Sequence, residues 1–170
     1  MVIKKANTTD IQTIINIGKV AFVESHSTSV PKEVLTHYLN QNFTIEKVKQ
    51  ELSDVNNSFH IIYNNDIPVG YSKICFNSRH PNIQLQKVTK LERLYLLKEY
   101  YGLKLGYQLF QFNVELSKKQ YENGMWLFVW VNNDKAINFY KKTGFKIIGK
   151  HDFSLNENHS NPNHQMLLTY

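Results

Sequence analysis

A single cysteine, Cys75, occurs among the 170 residues of the chain. One thiol cannot form an internal disulfide, and chains without disulfides are typical of reducing compartments, so we expect a cytoplasmic protein. No apolar run approaches the roughly 20 residues that a membrane-spanning helix requires. The first ten residues lack the apolar segment of a secretory signal. These absences argue against a disulfide-stabilised secreted domain and against a membrane protein.

The chain also lacks a block of basic residues, although its formal net charge is +6. Its 20 lysines and arginines are scattered, and lysines adjoin one another only in pairs. This pattern is typical of a solvated basic surface rather than of a nucleic-acid patch, and it suits a small anionic ligand. The seven histidines show no metal-ligand spacing. We therefore expect neither a nucleic-acid partner nor a metal.

The hydrophobic content of 42% and the length predict one compact domain over residues 1–170, without repeats or linkers. The first half predicts a strand, three amphipathic helices and a strand hairpin. Thr8 or Thr9 is expected to cap the first helix, and polar residues 25–30 end it. Pro31 begins the second helix and Thr44 caps the third. The predicted strands are residues 2–5, 59–63 and 67–76, with a turn at 64–66.

The second half alternates strands and helices. Apolar residues every three or four positions from Leu105 to Leu116 indicate an amphipathic helix. Gly144 is expected just after a shorter helix, as its C-terminal cap. The predicted order is strand 85–97, a helix ending near 123, strand 125–131, helix 134–143, strand 145–155, polar loop 156–163 and strand 165–170.

Residues 91–109 join a strand, a glycine-bearing turn and a helix N-terminus. Unpaired backbone N–H groups and the positive end of the helix dipole then face the same point, which favours an anion. The dipole alone contributes about 0.3–1 kcal/mol, so a phosphate there also needs several N–H hydrogen bonds. The stretch therefore predicts a phosphate-binding loop.

Two segments in this part of the chain follow known patterns. Residues 101–106 fit part of Gln/Arg-x-x-Gly-x-Gly/Ala: Gly106 matches, while Tyr101 and Lys104 replace the Gln/Arg and the middle glycine. Residues 133–145 carry every named position of Asn-x-x-Ala-x-x-Phe-Tyr-x-x-x-Gly-Phe. With both segments in order and correctly spaced, the chain resembles the GNAT superfamily of N-acetyltransferases.

Within that superfamily the chain looks most similar to the PaiA-like polyamine N-acetyltransferases. It departs from them where His164, rather than an aspartate, shortly precedes Met166. The resemblance implies an α/β (α+β) fold with a single mixed central sheet of about seven strands and four or more flanking helices. It implies acetyl-CoA as cosubstrate and acetyl transfer to a primary amine of a small molecule such as a polyamine, by direct attack in a ternary complex. The alternatives are a catalytically weak CoA-binding sensor and an acetyltransferase of peptides, proteins or aminoglycosides.

The resemblance also assigns two catalytic roles. Glu92 is expected to receive the amine's proton, with Leu94 and Leu96 on the same face of the strand; the alternative is an ordinary strand residue paired with Lys90 or Arg93. Tyr140 is expected to hydrogen-bond or protonate the departing CoA sulfur. The residues expected to bind the cofactor are Leu94, Tyr95, Leu96, Tyr101, Gly102, Leu103, Lys104, Leu105, Gly106, Tyr107, Asn133, Tyr140 and Lys142.

Several of these residues leave alternatives. Lys104 is compatible with the loop if its φ is negative and its side chain points outward, where it would add a phosphate contact; the alternative is a strained residue that occludes the loop. Asn133 caps its helix or bonds the pantetheine arm, and Lys142 reaches the 3′-phosphate or is only solvated.

The acceptor groove is expected at the first two helices. Phe22, His26 and Tyr38 would line it, with Glu24 or Glu33 recognising a cation. Exposed strands at the ends of the sheet make a homodimer compatible with the fold.

Overall fold

The computed structural model describes residues 1–27, 30–157 and 159–170, and its centre is one mixed sheet of seven strands. Their order across the sheet is β1-β2-β3-β4-β5-β7-β6. All neighbouring strands are antiparallel except β4 and β5, which are parallel. The strands are β1 Val2–Lys5, β2 Asn57–Asn64, β3 Ile67–Cys75, β4 Val88–Leu96, β5 Gly124–Trp130, β6 Lys146–Asn156 and β7 His159–Thr169. The expected mixed sheet of about seven strands is confirmed.

Five α-helices flank the sheet in the described residues. They are α1 Ile11–His26, α2 Lys32–Asn42, α3 Ile45–Ser53, α4 Leu105–Lys119 and α5 Asp134–Lys142. Helices α1 to α3 pack on one face, against Phe59, Ile61 and Tyr71. The other face carries Ile74 and Met125 under α4 and α5, with the remaining buried residues Leu91, Phe110, Val114, Leu127, Val129, Ile137, Phe145 and Met166. Each face therefore has its own core.

Several predicted boundaries follow from local chemistry. The Thr44 hydroxyl accepts from the backbone N–H of Lys47 at 3.1 Å, so the predicted cap of α3 is confirmed. Asn65 and Asp66 both have positive φ, as the tight turn between β2 and β3 requires. Gly144 follows α5 with φ +100°, the left-handed cap expected there.

The first helix begins differently from the prediction. Asn7, not Thr8 or Thr9, is the cap: its side-chain oxygen accepts from the backbone N–H of Thr9 at 2.8 Å, and Asp10 accepts from the N–H of Asn7 at 2.9 Å. This reciprocal pair starts a 3₁₀ turn that leads into α1. The break predicted over residues 25–30 includes positions 28 and 29, which lie outside the described residues.

The prediction of a polar loop over residues 156–163 is wrong. Strand β6 extends to Asn156 and β7 already begins at His159; residue 158 lies outside the described residues. This hairpin lies at the edge of the sheet and is largely exposed, so its strands need few apolar residues. Backbone pairing with β6 holds the polar start of β7 in place, and composition alone does not reveal such pairing. In the described part of the chain, no helix is both long and apolar enough to cross a membrane.

His60, in β2, couples folding to pH. Its side chain is 4% exposed, and its Nδ1 has no hydrogen-bond partner among the described residues. Burial, with a smaller contribution from Lys5, lowers the pKa of His60 from 6.5 to about 4. Between these values the unfolded chain binds the proton more tightly than the folded protein, so stability falls as pH falls from 6.5 towards 4.

We predict that His60→Phe removes this acid sensitivity. In the parent protein the His60 contribution declines by up to roughly 1.4 kcal/mol per pH unit over that window, and the variant should lose that slope. Urea unfolding at pH 4.5, 5.5 and 6.5 measures it, with the same change at exposed His37 as control. Equal slopes for the parent protein and His60→Phe would show that His60 titrates normally in the fold.

Candidate active site

The candidate site opens where the two parallel strands separate. Strands β4 and β5 pair only at Val88–Gly124, Thr89–Met125 and Lys90–Trp126. Just beyond, β4 has a bulge: Leu91 and Arg93 pair with consecutive residues of β3, and Glu92 is left over. A bulge bends and twists its strand, which accounts for the divergence from β5. A cavity of about 1140 Å³ lies beyond this point.

At one end of the cavity is the N-terminus of α4. The residue before the helix, Lys104, makes no side-chain capping hydrogen bond. The first N–H groups of an α-helix have no partner within the helix, so those of Leu105, Gly106 and Tyr107 face the loop. These three residues, together with Gly102 and Lys104, line the cavity. The arrangement has the donors and the dipole direction that bind a phosphate.

Lys104 does not have the negative φ that its place in the loop was expected to require. Its φ is +59°, in the left-handed region that glycine adopts without strain. The side chain is exposed, and it lies along the cavity wall rather than closing the cavity. The lysine therefore keeps a glycine-like backbone conformation, at a conformational cost.

The structure brings nearly all the predicted site residues to this one cavity. Among the predicted cofactor-binding residues, Leu103 alone does not line it, and its side chain is 56% exposed. Glu92 and Tyr140 both line the cavity. Residues from β4, the α4 loop and α5 therefore meet although they are as many as 50 positions apart in sequence.

Tyr140 lies on α5 among aromatic rings. Its ring makes edge contacts with Phe139 at 5.2 Å and Phe145 at 5.4 Å between centroids. Burial raises the pKa of the Tyr140 hydroxyl far above its usual value, and nearby Tyr95 raises it further. The group therefore stays protonated throughout the neutral and mildly alkaline range, where it can donate one hydrogen bond.

Glu92 belongs to a cluster of charges and not to a free face of the strand. Lys73 donates to its carboxylate at 2.8 Å, and Lys90 lies 3.6 Å from it. Burial by itself would raise the pKa of the Glu92 carboxyl, but Lys73, Lys90 and Arg93 together lower it to about 2. The predicted pairing with Lys90 is therefore present, with Lys73 as the closer partner.

The predicted facing of Glu92 is wrong. Leu94 and Leu96 pack towards α4, in a cluster with Leu105 and Leu109. Glu92 instead points with Lys73 towards α3, because the bulge interrupts the simple alternation of side chains. All three β4 residues still line the cavity, which reaches past both faces of the separated strands.

The rest of this charge cluster was missed by the sequence analysis. Arg93 donates through both Nη atoms to the two carboxylate oxygens of Glu51, at 2.8 and 3.0 Å. Lys73 lies 3.2 Å from the same carboxylate and is only 5% exposed. A lysine within the otherwise apolar β3 was the signal available, since a buried ammonium needs a carboxylate partner.

Asn133 and Lys135, at the start of α5, each make a specific contact beside the cavity. Asn133 accepts from the backbone N–H of Ala136 at 3.1 Å, so its side-chain oxygen serves as the helix cap. Lys135 places its ammonium 3.7 Å from the centre of the Tyr101 ring. This contact joins α5 to the loop before α4, and both residues line the cavity. Lys142 lines the same region and is exposed.

Another part of the cavity wall, the aromatic end, is formed by α1, α2, β5 and β6. Phe22 stacks on His26 with centroids 4.2 Å apart and on Tyr38 at 4.5 Å. Trp130 and Phe153 complete this part of the wall. The predicted grouping of Phe22, His26 and Tyr38 is therefore present.

The two glutamates expected to recognise a cation there do not line the cavity. Glu24 accepts from the backbone N–H of Lys98 at 3.1 Å, outside the wall. Glu33 is exposed at the start of α2. The described residues contain no group of three or more His, Cys, Asp or Glu side chains placed to hold a metal ion.

The sequence profile of the acetyltransferase (GNAT) family matches residues 19–145. This chain therefore belongs to that family. Membership confirms the resemblance found in the sequence at the level of the superfamily, and with it acetyl-CoA as cosubstrate and N-acetyl transfer as the activity.

Individual relatives agree with this assignment. An uncharacterised N-acetyltransferase of Lactobacillus delbrueckii subsp. lactis is 25% identical over 148 residues, 87% of this chain and 86% of the relative. One from Mycobacterium tuberculosis is 24% identical over 153 residues, covering 90% and 94%.

Solved structures share the fold at lower identity. The PaiA N-acetyltransferase of Thermoplasma acidophilum, solved in complex with coenzyme A, has a TM-score of 0.80 and 22% identity over 99% of this chain and 98% of its own. The ribosomal-protein-S18-alanine N-acetyltransferase of Escherichia coli has a TM-score of 0.71 and 15% identity, covering 99% and 92%. At such identities the likeness shows a common fold.

We predict that Lys104→Gly is more stable than Lys104→Ala by about 1 kcal/mol, because only glycine adopts positive φ freely. Both variants lose the ammonium, so the comparison isolates the backbone conformation. Urea denaturation measures the difference. Equal stability of the two variants would contradict a left-handed residue 104.

Proposed function

We propose that the chain transfers the acetyl group of acetyl-CoA to the primary amine of a small molecule, by direct attack within a ternary complex. One observation carries the proposal: the phosphate loop, the free edge of β4 and Tyr140 all line a single cavity. That cavity, of about 1140 Å³, has the volume to hold a cofactor arm and a small amine together. The experiment is to follow release of free thiol from acetyl-CoA in the presence of amines.

Binding of CoA would use backbone groups for the most part. N–H groups between Gly102 and Tyr107 would hold the pyrophosphate, with Lys104 adding a positive charge. The edge of β4 that β5 leaves unpaired, near Leu94 to Leu96, would hydrogen-bond the amides of the pantetheine arm. Lys142, which is exposed and lines the cavity, would reach the 3′-phosphate. The side-chain oxygen of Asn133 caps α5, so this residue would form part of the cavity wall beside the cofactor.

In the reaction, the lone pair of the amine forms a C–N bond with the thioester carbonyl carbon. Negative charge then develops on the carbonyl oxygen, and a backbone N–H of β4 close to Leu96 would stabilise it. As the C–S bond breaks, the sulfur takes the bonding electron pair and the Tyr140 hydroxyl donates a hydrogen bond to it. The ammonium first loses a proton to solvent, because only the neutral amine has a lone pair with which to attack. After the C–N bond forms, the nitrogen loses a second proton to solvent, which leaves the amide.

The raised pKa of Tyr140 favours hydrogen bonding over full proton transfer. A phenol is already a weaker acid than a thiol, whose pKa is about 8.5. Burial widens this gap. The thiolate would therefore be stabilised by a short hydrogen bond and take its proton from water after release.

Glu92 is better suited to hold neighbouring lysine side chains in place than to accept a proton. A carboxylate whose pKa is about 2 is a poor base towards an ammonium whose pKa is about 10.4. We infer that Glu92 holds Lys73 and Lys90 in place beside the reacting atoms. The amine would then enter as the small neutral fraction present at the working pH.

Several narrower predictions stay predictions. The acceptor is a polyamine, a peptide or protein amine, or an aminoglycoside; alternatively, the chain is a catalytically weak CoA-binding sensor. Thiol release with a panel of these amines separates them. If CoA raises the melting temperature but no amine is acetylated, the chain is a sensor. A cytoplasmic location and a homodimer likewise stay predictions.

We predict that Tyr140→Phe lowers kcat by about 10- to 100-fold, because a hydrogen bond to a charged group contributes about 1.5–3 kcal/mol. The dissociation constant of CoA should change little, since the phosphate and pantetheine contacts remain. Steady-state kinetics and calorimetric titration of CoA measure the two effects. Unchanged kcat would remove Tyr140 from the reaction.

We also predict that log kcat/KM rises with unit slope from pH 6 to 9. The free-amine fraction grows tenfold per pH unit below the amine's own pKa, and Glu92 stays ionised throughout. Glu92→Gln should lower the rate but keep the slope. An inflection below pH 8 that disappears in Glu92→Gln would instead identify Glu92 as the base.

A further inference from the structure

We infer that the acceptor is a primary amine carried by a planar aromatic group and without a second positive charge. The inference rests on the proposed function, because it concerns the acceptor end of the same cavity. It follows from two independent properties of the cavity wall. Aromatic rings line the acceptor end, and among the described residues both carboxylates that line the cavity are in ion pairs with lysine or arginine.

The aromatic end presents rings to an incoming molecule from four elements, α1, α2, β5 and β6. Tyr38 of α2 packs edge-on to Phe153 of β6, with centroids 5.9 Å apart. Trp130, at the end of β5, lies 6.0 Å from His26 of α1. Burial lowers the pKa of His26, so this ring is neutral at pH 7 and adds no charge. A flat apolar group would stack or pack edge-on in such surroundings.

Among the described residues, each carboxylate that lines the cavity is already paired with a cation. In the described residues only Glu51 and Glu92 line the cavity as acids. Glu51 is held by Arg93 and Lys73, and Glu92 by Lys73 and Lys90. Three cations thus share two carboxylates, which leaves this cluster with a net charge of +1 from the difference 3 − 2.

A polycation finds poor partners in this cavity. A second ammonium taken from water without a carboxylate loses hydration that nothing replaces, and the positive cluster repels it. Aromatic faces attract cations, but Phe128, which lines the cavity, already has one: the ammonium of Lys90 lies 5.8 Å from its ring centre. Phe22 is covered by rings that stack on it.

Thiol release from acetyl-CoA with three amines tests this inference: 2-phenylethylamine, n-hexylamine and spermidine. Rates are compared at equal concentrations of free base, so that the amines' own pKa values do not enter. We expect kcat/KM for 2-phenylethylamine to exceed both others by at least tenfold. Hexylamine controls for apolar area without an aromatic ring, and spermidine for additional charge.

A substitution in the cavity wall tests whether the aromatic end causes the preference for 2-phenylethylamine. Tyr38→Leu should reduce the ratio of kcat/KM between 2-phenylethylamine and hexylamine by severalfold. Tyr170→Leu is the matched control, because Tyr170 lies outside the cavity and the same ring is lost. Should Tyr38→Leu fail to fold, Phe153→Leu replaces it.

The outcomes are distinct. Acetylation of spermidine or hexylamine at a rate equal to or above that of 2-phenylethylamine overturns the inference and leaves the acetyltransferase intact. An unchanged ratio in Tyr38→Leu also overturns it. No turnover with any amine contradicts the proposed function itself, and the inference with it.

Discussion

The separation of two parallel strands is the constraint on which the site depends. β4 is held by β3 as far as Leu96 and β5 by β7 as far as Trp130, yet the two strands pair with each other at only three positions. The bulge at Glu92 follows directly after the last of these pairs. Backbone groups that would complete a continuous sheet are thereby left facing a cavity, where a ligand with amide groups can pair with them.

The charge cluster connects this backbone geometry with the chemistry. Because the bulge turns Glu92 to the same side as Arg93, Glu92 reaches the buried Lys73 and Arg93 reaches the buried Glu51, which Lys73 also contacts. Every member has an oppositely charged partner within 4 Å, so burial of these charges is tolerated. The same pairing lowers the pKa of Glu92 and neutralises both carboxylates that line the cavity among the described residues. One local irregularity of β4 therefore underlies three parts of the proposed function: the access of the cofactor, the route of the proton and the choice of acceptor.

Patterns local to the sequence predicted most of the fold and most of the wall of the cavity. The motif over residues 133–145 placed Tyr140 on α5 and Asn133 at its N-terminal cap, since helix period and cap chemistry are short-range properties. The bulge at Glu92 and the polar start of β7 were missed, because pairing with distant strands decides both. The left-handed conformation of Lys104 was not predicted, because lysine, unlike glycine, asparagine or aspartate, seldom adopts positive φ.

Titration of ¹⁵N-labelled protein with coenzyme A, followed through backbone amide chemical shifts, tests the central claim most directly. The account predicts saturable shifts concentrated at amides 102–107 and on β4 around residues 94–96, the two places where N–H groups face the cavity. Saturable shifts confined to other parts of the molecule, or none at millimolar coenzyme A, would contradict it.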